Sequence, residues 1–272
     1  MQREEAEQRT ILRATVGSTL HGLNVPGKDD LDEMGILVEP YSEGAGLSTF
    51  DQFIYRTAAE REQKHDAPSQ PGDLDLTLYS LRKYVRLALN GNPSVLTLMY
   101  APLEMCSVMM SLGSQLREFA HCFVSGKAGM AHLGYLTAQK QRLLGERGGK
   151  KVRRPELESK FGYDTKYAMH MARLAYQGVE LMSTGKITLP MPETERAFCF
   201  SVRQGEVPLN DVLSTVGELE KELKDLSDTG PFSGPPNTKT IEEFLIDTYM
   251  SVWSAQWQHA QWHKERPHHV SL

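Results

Sequence analysis

The chemistry this sequence offers rests on a few acids. Gly17-Ser18 is followed, after eleven residues, by Asp30-Leu31-Asp32, and a further acid, Asp75, lies in the alternating stretch from Asp73 to Leu78. Residues two apart on a strand face the same way, so Asp30 and Asp32 present two carboxylates on one side of a sheet. Two like charges so placed need a cation. Hard oxygen donors with few soft ligands nearby suit Mg²⁺ or Mn²⁺, which takes its other ligands from water and phosphate oxygens. A triphosphate completes such a site. With a third acid it could hold two ions roughly 4 Å apart, one activating an attacking hydroxyl and one neutralising a pyrophosphate leaving group.

An Asp-x-Asp pair alone is common on solvated turns, so its neighbours decide its meaning. A calcium-binding EF-hand loop starting at Asp30 would place Met34 and Tyr41 at ligand positions, which excludes that reading. Gly17 lets backbone approach a phosphate, and Ser18 offers a hydroxyl and N–H donors at a helix start. His21 in the same loop either touches the triphosphate or stabilises the loop through its one donor and one acceptor. Asp29 and Asp73 compete with the other acids as ligands.

Several elements must position these residues. A short acidic helix over residues 3 to 9 leads into a β-branched run, Ile11 to Val16, that reads as a buried strand ending at Gly17. Met34 to Val38 forms a second strand, closed by Pro40, and Asp73 to Leu78 alternates as a half-buried strand. Tyr41 to Gly72 has no sustained period and reads as an irregular surface excursion. Ser80 caps a helix with Leu81, Val85, Ala88 and Leu89 on one face and Gly91 as its left-handed stop. Asn92-Pro93 starts another helix as cap and first residue.

The remainder is mostly helical in period, broken at Gly145 to Lys160 and at Gly230 to Pro236. Between Asp164 and Ser183 the apolar stripe Tyr167, Met171, Leu174, Met182 runs beside a polar stripe, Lys166, His170, Arg173, Gln177, at helical spacing. Lys166 and Arg173 would grip phosphate or form surface ion pairs, and His170 reads as an interface histidine. Gln139-Lys140 is a candidate for the same cleft. The basic loop with Lys150, Lys151, Arg153 and Arg154 reads as an RNA-backbone contact or an ordinary solvated loop. A last amphipathic helix carries Ile241, Phe244, Leu245, Thr248 and Val252, extended by Trp253 and Trp257 as packing residues. His259 and His263 have the spacing of a helical metal pair without a third ligand, and read as a polar tail.

Composition sets limits. The 272 residues, 40% hydrophobic, suffice for one large domain or two modest ones. A net charge of -5 excludes a generally basic nucleic-acid-coating surface, leaving only a local patch. Cys106, Cys122 and Cys199 lack metal-ligand spacing and fit a reducing cytoplasm. No apolar run of membrane-spanning length or export signal is expected.

The segments GSTLHGLNVPGKDDLDEMGI, DLTLYSLRKYVRLALNGNPSVLTLMYAP and YDTKYAMHMARLAYQGVELMSTGKI resemble the RNA-repair-pathway DNA polymerase beta family of predicted nucleotidyltransferases, over most of residues 10 to 215. The resemblance implies that Gly17 and Ser18 hold a triphosphate, with His21-Gly22 in the same loop, and that Asp30, Asp32 and Asp75 are the acids. Asp75 is preferred to Asp73 because Asp75-Leu76-Thr77 matches the family's acid-apolar-Thr step. It moves Lys166 and Arg173 towards phosphate binding, with His170 beside them. Asp29 stands where such sequences commonly have Ser.

The expected protein is therefore α+β, with a mixed-sheet nucleotidyltransferase core at 1–110 and a mainly α-helical domain at 111–272 that binds nucleotide and acceptor. Its expected reaction is Mg²⁺- or Mn²⁺-dependent transfer of a nucleotide from a nucleoside triphosphate, ATP among them, to an acceptor hydroxyl. An RNA or tRNA end is the leading acceptor. A protein or small-metabolite acceptor, or a non-catalytic nucleotide- or RNA-binding module, is the alternative.

Overall fold

The computed structural model describes residues 1–25, 27, 30–47, 49–146 and 154–265, with side chains of the last helix as far as Gln258. Five strands form one mixed sheet: β1 (Thr10–Thr15), β2 (Leu31–Leu37), β3 (Gln52–Arg56), β4 (Leu74–Ser80) and β5 (Cys106–Met109), in the order β3-β4-β2-β1-β5. β2 and β4 run parallel, whereas β1 pairs antiparallel with β2 and β5, and β3 antiparallel with β4. The α+β architecture expected from the sequence is present, with helices covering one face and dominating the C-terminal half.

Alternation along β4 sets its two faces. Leu76 and Leu78 are fully buried against Leu37 and Ala6, with Phe53 and Tyr55 of β3 packed beside them. Asp75 and Thr77 therefore point to the opposite face. β2 starts three residues earlier than the apolar run suggests: Asp32 lies within the strand and Asp30 just before it. The stretch read as irregular contains the edge strand β3 and the helix Thr57–Glu62. Their contiguous Phe53-Ile54-Tyr55 hides the two-residue alternation, because an edge strand can leave an outward apolar residue exposed. β5 is a second addition, adjoining β1 at the other edge.

The helix caps follow the sequence closely. Ser80 accepts from the Lys83 N–H, Asn92 from Ser94 and Val95 with Pro93 in the first turn, and Asp164 from Lys166 and Tyr167. The largest core packs β1 and β2 on the helix Leu81–Leu89 and draws in Ala128, Leu181, Ile241 and Phe244 from the helical half. A second core surrounds the long helix Thr165–Thr184. The segment after β1 is pinned to both cores, Leu20 in the first and Leu23 in the second. Among the described residues no helix is long and apolar enough to cross a membrane.

Candidate active site

A cleft of about 510 Å³ lies between the sheet and the long helix, within the usual size range of small-molecule sites. Its floor carries the acids. Oxygen atoms of Asp30, Asp32 and Asp75 lie within 4.8 Å of one another, and all three side chains are half-buried. Parallel pairing sets Asp32 opposite Asp75, and antiparallel pairing sets Arg56 opposite Asp75 on its other side. The row across the sheet is therefore Arg56, Asp75, Asp32. Arg56 Nε donates to Asp75 Oδ2 at 3.1 Å, and Ser69 Oγ donates to the same carboxylate.

Asp73 is held elsewhere. Its carboxylate takes two bonds from Arg61 and one from the Gln70 N–H, and the Arg61 hydrogen bond holds its pKa below the usual carboxylate value. Asp29 lies outside the described residues, as do Lys150, Lys151 and Arg153 and the side chains of His259 and His263. Arg154 pairs with Asp164 at 3.1 Å, and Lys140 pairs with Glu220 rather than lining the cleft.

Gly17 fits under the acids for a steric reason. It has φ of +65°, and a Cβ there would lie 2.1 Å from Asp32 Oδ2. The Val16 N–H donates to the Asp32 carbonyl, so the turn carrying Gly17 and Ser18 is tied to β2 at the acid pair. Ser18 lines the cleft at the start of the helical turn Gly17–Leu20.

The wall opposite the acids is cationic. Lys166, His170 and Arg173 line the cleft from one face of the long helix, as their spacing predicts, and Arg203 joins them from the helix Glu193–Gln204. Arg203 gave no sequence signal, since its bond to the Leu23 carbonyl spans 180 residues. His21 is buried in this wall. Arg173 Nη1 donates to His21 Nε2 at 2.9 Å and to Gln177 Oε1 at 2.9 Å, while Gln177 Nε2 faces His21 Nδ1 at 3.0 Å.

Counting protons exposes a shortage of acceptors in this trio. A neutral imidazole has one acceptor nitrogen, which Arg173 takes, so the other ring nitrogen carries a hydrogen and meets the amide NH₂. Turning the Gln177 amide only moves the donor-to-donor contact to Arg173. In addition Arg173 Nε is buried with no partner among the described residues. Burial keeps the ring of His21 well below its ordinary pKa, with Arg173 and His170 adding to the effect, and pulls His170 down to about 3 with the same help from Arg173 and Lys166. Burial also lowers Arg173 to about 10, so it stays charged. These unmatched donors are of the kind that an anion's acceptor oxygens can satisfy.

A family model, the RNA repair pathway DNA polymerase beta family, matches residues 1–214. The chain belongs to that family. A comparison with curated proteins gave no match. Among solved structures, a nucleotidyltransferase-like protein from Exiguobacterium sibiricum is similar at 11% identity, covering 91% of this chain and 77% of that one, with a TM-score of 0.30. That score is too low to inform any detail of the site. Membership makes this a protein of a nucleotidyltransferase family, and its clustered aspartates are of the kind with which such proteins bind divalent metal.

Proposed function

We propose that the protein transfers a nucleoside monophosphate from a nucleoside triphosphate, ATP among the candidates, to an acceptor hydroxyl on an RNA or tRNA end, releasing pyrophosphate. One observation carries this reading: a single cleft sets an acid cluster against a cationic wall short of acceptors, joined by the Gly17–Leu23 segment. The acids fit a hard divalent ion, being oxygen donors only and close enough to share one or two ions.

Asp30, Asp32 and Asp75 are the proposed ligands. Mg²⁺ or Mn²⁺, when bound there, supplies neutralisation of the phosphate oxygens and lowers the pKa of the acceptor hydroxyl. Gly17 and Ser18 place backbone and a hydroxyl against the triphosphate, and Lys166, Arg173 and neutral His21 and His170 line the wall that receives it. Residues 1–110 carry the chemistry and residues 111–272 close the cleft over nucleotide and acceptor. The three free cysteines support a reducing, cytoplasmic site of action.

The test is incubation of purified protein with Mg²⁺ or Mn²⁺ and each labelled nucleoside triphosphate, with a tRNA pool, with bulk protein, or alone. An Asp30→Asn control accompanies each. Label on RNA that disappears in the control supports the reading and names the base. Label on protein moves the acceptor to protein, and no label with nucleotide still bound leaves a binding module.

A further inference from the structure

The cleft is polarised, and the reaction's geometry turns that polarity into an assignment. The Gly17–Leu23 segment passes Asp32 at one end and holds two cations there, Arg173 bonded to His21 and Arg203 bonded to the Leu23 carbonyl. The other end is the cleft face of β4 and β3. There the sheet register places Ile54, Thr77 and Met34 side by side, one row beyond Arg56, Asp75 and Asp32 and about 6–7 Å further along the strands. Ser94 and Thr97 also line the cleft.

This end is neutral. Ile54 is 50% exposed although it lines a cleft, and Met34 is half-buried beside it, so an apolar floor faces open space. Arg56 is the nearby cation, one row back beside Asp75, and each of its three nitrogens donates within the fold, to Asp75, the His65 carbonyl and Ser69. Ile54, Thr77 and Met34 themselves carry no charge, and Arg56 faces Asp75 rather than this row.

In-line displacement at phosphorus requires the attacking oxygen opposite the leaving group. With the triphosphate tail on the cationic wall, the acceptor hydroxyl arrives from the β4–β3 side, past Asp75. We infer that the Ile54–Thr77–Met34 floor is the acceptor subsite and that it takes an uncharged, hydroxyl-bearing terminus: the unphosphorylated 3′-terminal nucleoside of an RNA. In the step, the acceptor oxygen bonds to the α-phosphorus, the bond from that phosphorus to the oxygen bridging to the β-phosphate breaks, pyrophosphate leaves with the electron pair, and the hydroxyl proton passes to water. The apolar floor packs the terminal base and Thr77 offers its hydroxyl to the ribose.

The inference rests on the nucleotidyl-transfer reading, so its test has a binding arm that needs no turnover. Full-length wild type, Ile54→Ala, Ile54→Val and Thr77→Val are compared in two assays. The first is transfer from the preferred triphosphate to RNA. The second is calorimetric binding of adenosine and of adenosine 3′,5′-bisphosphate in the presence of Mn²⁺ and an α,β-methylene triphosphate analogue. Ile54→Ala should raise the acceptor KM about tenfold, leave the triphosphate KM and Mn²⁺ affinity within about twofold, and weaken adenosine binding equally, with Ile54→Val restoring most of the loss. Adenosine should bind more tightly than the bisphosphate. A parallel rise in triphosphate KM would assign the floor to the nucleotide base instead, and unchanged constants, or tighter binding of the bisphosphate, would remove the subsite. Absence of transfer in wild type, with adenosine binding still lost in Ile54→Ala, would sink the transfer reading and keep the subsite.

Discussion

Asp32 lies directly opposite Asp75 across the parallel pairing of β2 with β4. Like charges facing each other on one side of a sheet are destabilising, and a structure of function-neutral design would not place them there. Arg56, opposite Asp75 on the other flank, offsets part of this repulsion through its bond to Oδ2. Asp73, two residues earlier on the chain, looks equivalent in sequence and differs wholly in partners, being clasped by Arg61 and the Gln70 N–H.

That difference separates two substitutions of the same chemical kind. Asp75→Asn should keep the melting temperature within a few degrees and weaken Mn²⁺ binding at least tenfold by calorimetry, because a charged ligand is lost from a partly solvated cluster. Asp73→Asn should do the reverse, lowering the melting temperature while Mn²⁺ binding persists. If both variants lose the metal alike, the assignment of Asp75 over Asp73 is wrong.

Gly17 is a steric requirement of the acid pair. With φ at +65° and Asp32 Oδ2 2.1 Å from where a Cβ would sit, Gly17→Ala must either displace Asp32 or shift the turn. The expected result is a fall of about tenfold or more in Mn²⁺ and triphosphate affinity with an unchanged far-ultraviolet circular dichroism spectrum. Wild-type affinity in the variant would show that the turn can move at no cost.

The acids, the Gly-Ser turn and the stripe Lys166, His170, Arg173 were legible because each is a local pattern: a two-residue step, a glycine at a strand end, a helical period. The caps at Ser80 and Asn92 were legible in the same way. What escaped was non-local. β3 supplies Arg56 and Ile54, yet its apolar residues are consecutive, and its partner β4 lies beyond a helix and a polar loop. Arg203 reaches the cleft only because the second core folds its helix against the long helix that carries Arg173. The partnering of His21 with Arg173 and Gln177 joins residues about 150 positions apart, a pairing that no periodicity encodes.

Arg173 combines a retained charge with a buried nitrogen that has no acceptor among the described residues. An anion with free oxygens would supply what the fold leaves missing, and charge-assisted bonds of this kind are worth roughly 1.5–3 kcal/mol each. Arg173→Met should therefore raise the triphosphate Kd at least tenfold, measured by calorimetry with Mg²⁺ present, while Mn²⁺ binding without nucleotide stays near wild type. Undiminished triphosphate affinity would take Arg173 out of the site.

His132 gives a stability prediction remote from the acids. It is almost wholly buried, its Nδ1–H donates to the Ala128 carbonyl, and burial lowers its pKa to about 4. The unfolded chain takes up this proton near pH 6.5 and the folded chain only near 4, so stability is complete above about pH 6.5 and is lost as pH falls through that window. The full loss is of the order of 3 kcal/mol. His132→Asn, whose amide can still donate to Ala128, should remove one share of the fall in denaturant-derived stability between pH 6.5 and 4, leaving the shares of His21 and His170, whereas an unchanged slope would place the acid sensitivity in those two.

The last helix, Thr238–Glu265, lies beyond the residues the family model matches and is clamped to the end of β2. Tyr249 donates to Glu39 Oε1 at 2.9 Å and accepts from the Arg82 N–H, and Trp253 Nε1 donates to the Glu39 carbonyl. Glu39 is fully buried, its Oε2 has no partner among the described residues, and burial raises its pKa. Removing the Tyr249 hydroxyl from this carboxyl should be costly, because a buried acceptor left unmade loses about 1–3 kcal/mol. Tyr249→Phe is expected to lower stability by that amount and to speed amide exchange across residues 240–256, with triphosphate affinity unaltered. Faster exchange throughout the sheet instead would mean that the helix opens only together with the core into which Ile241 and Phe244 pack.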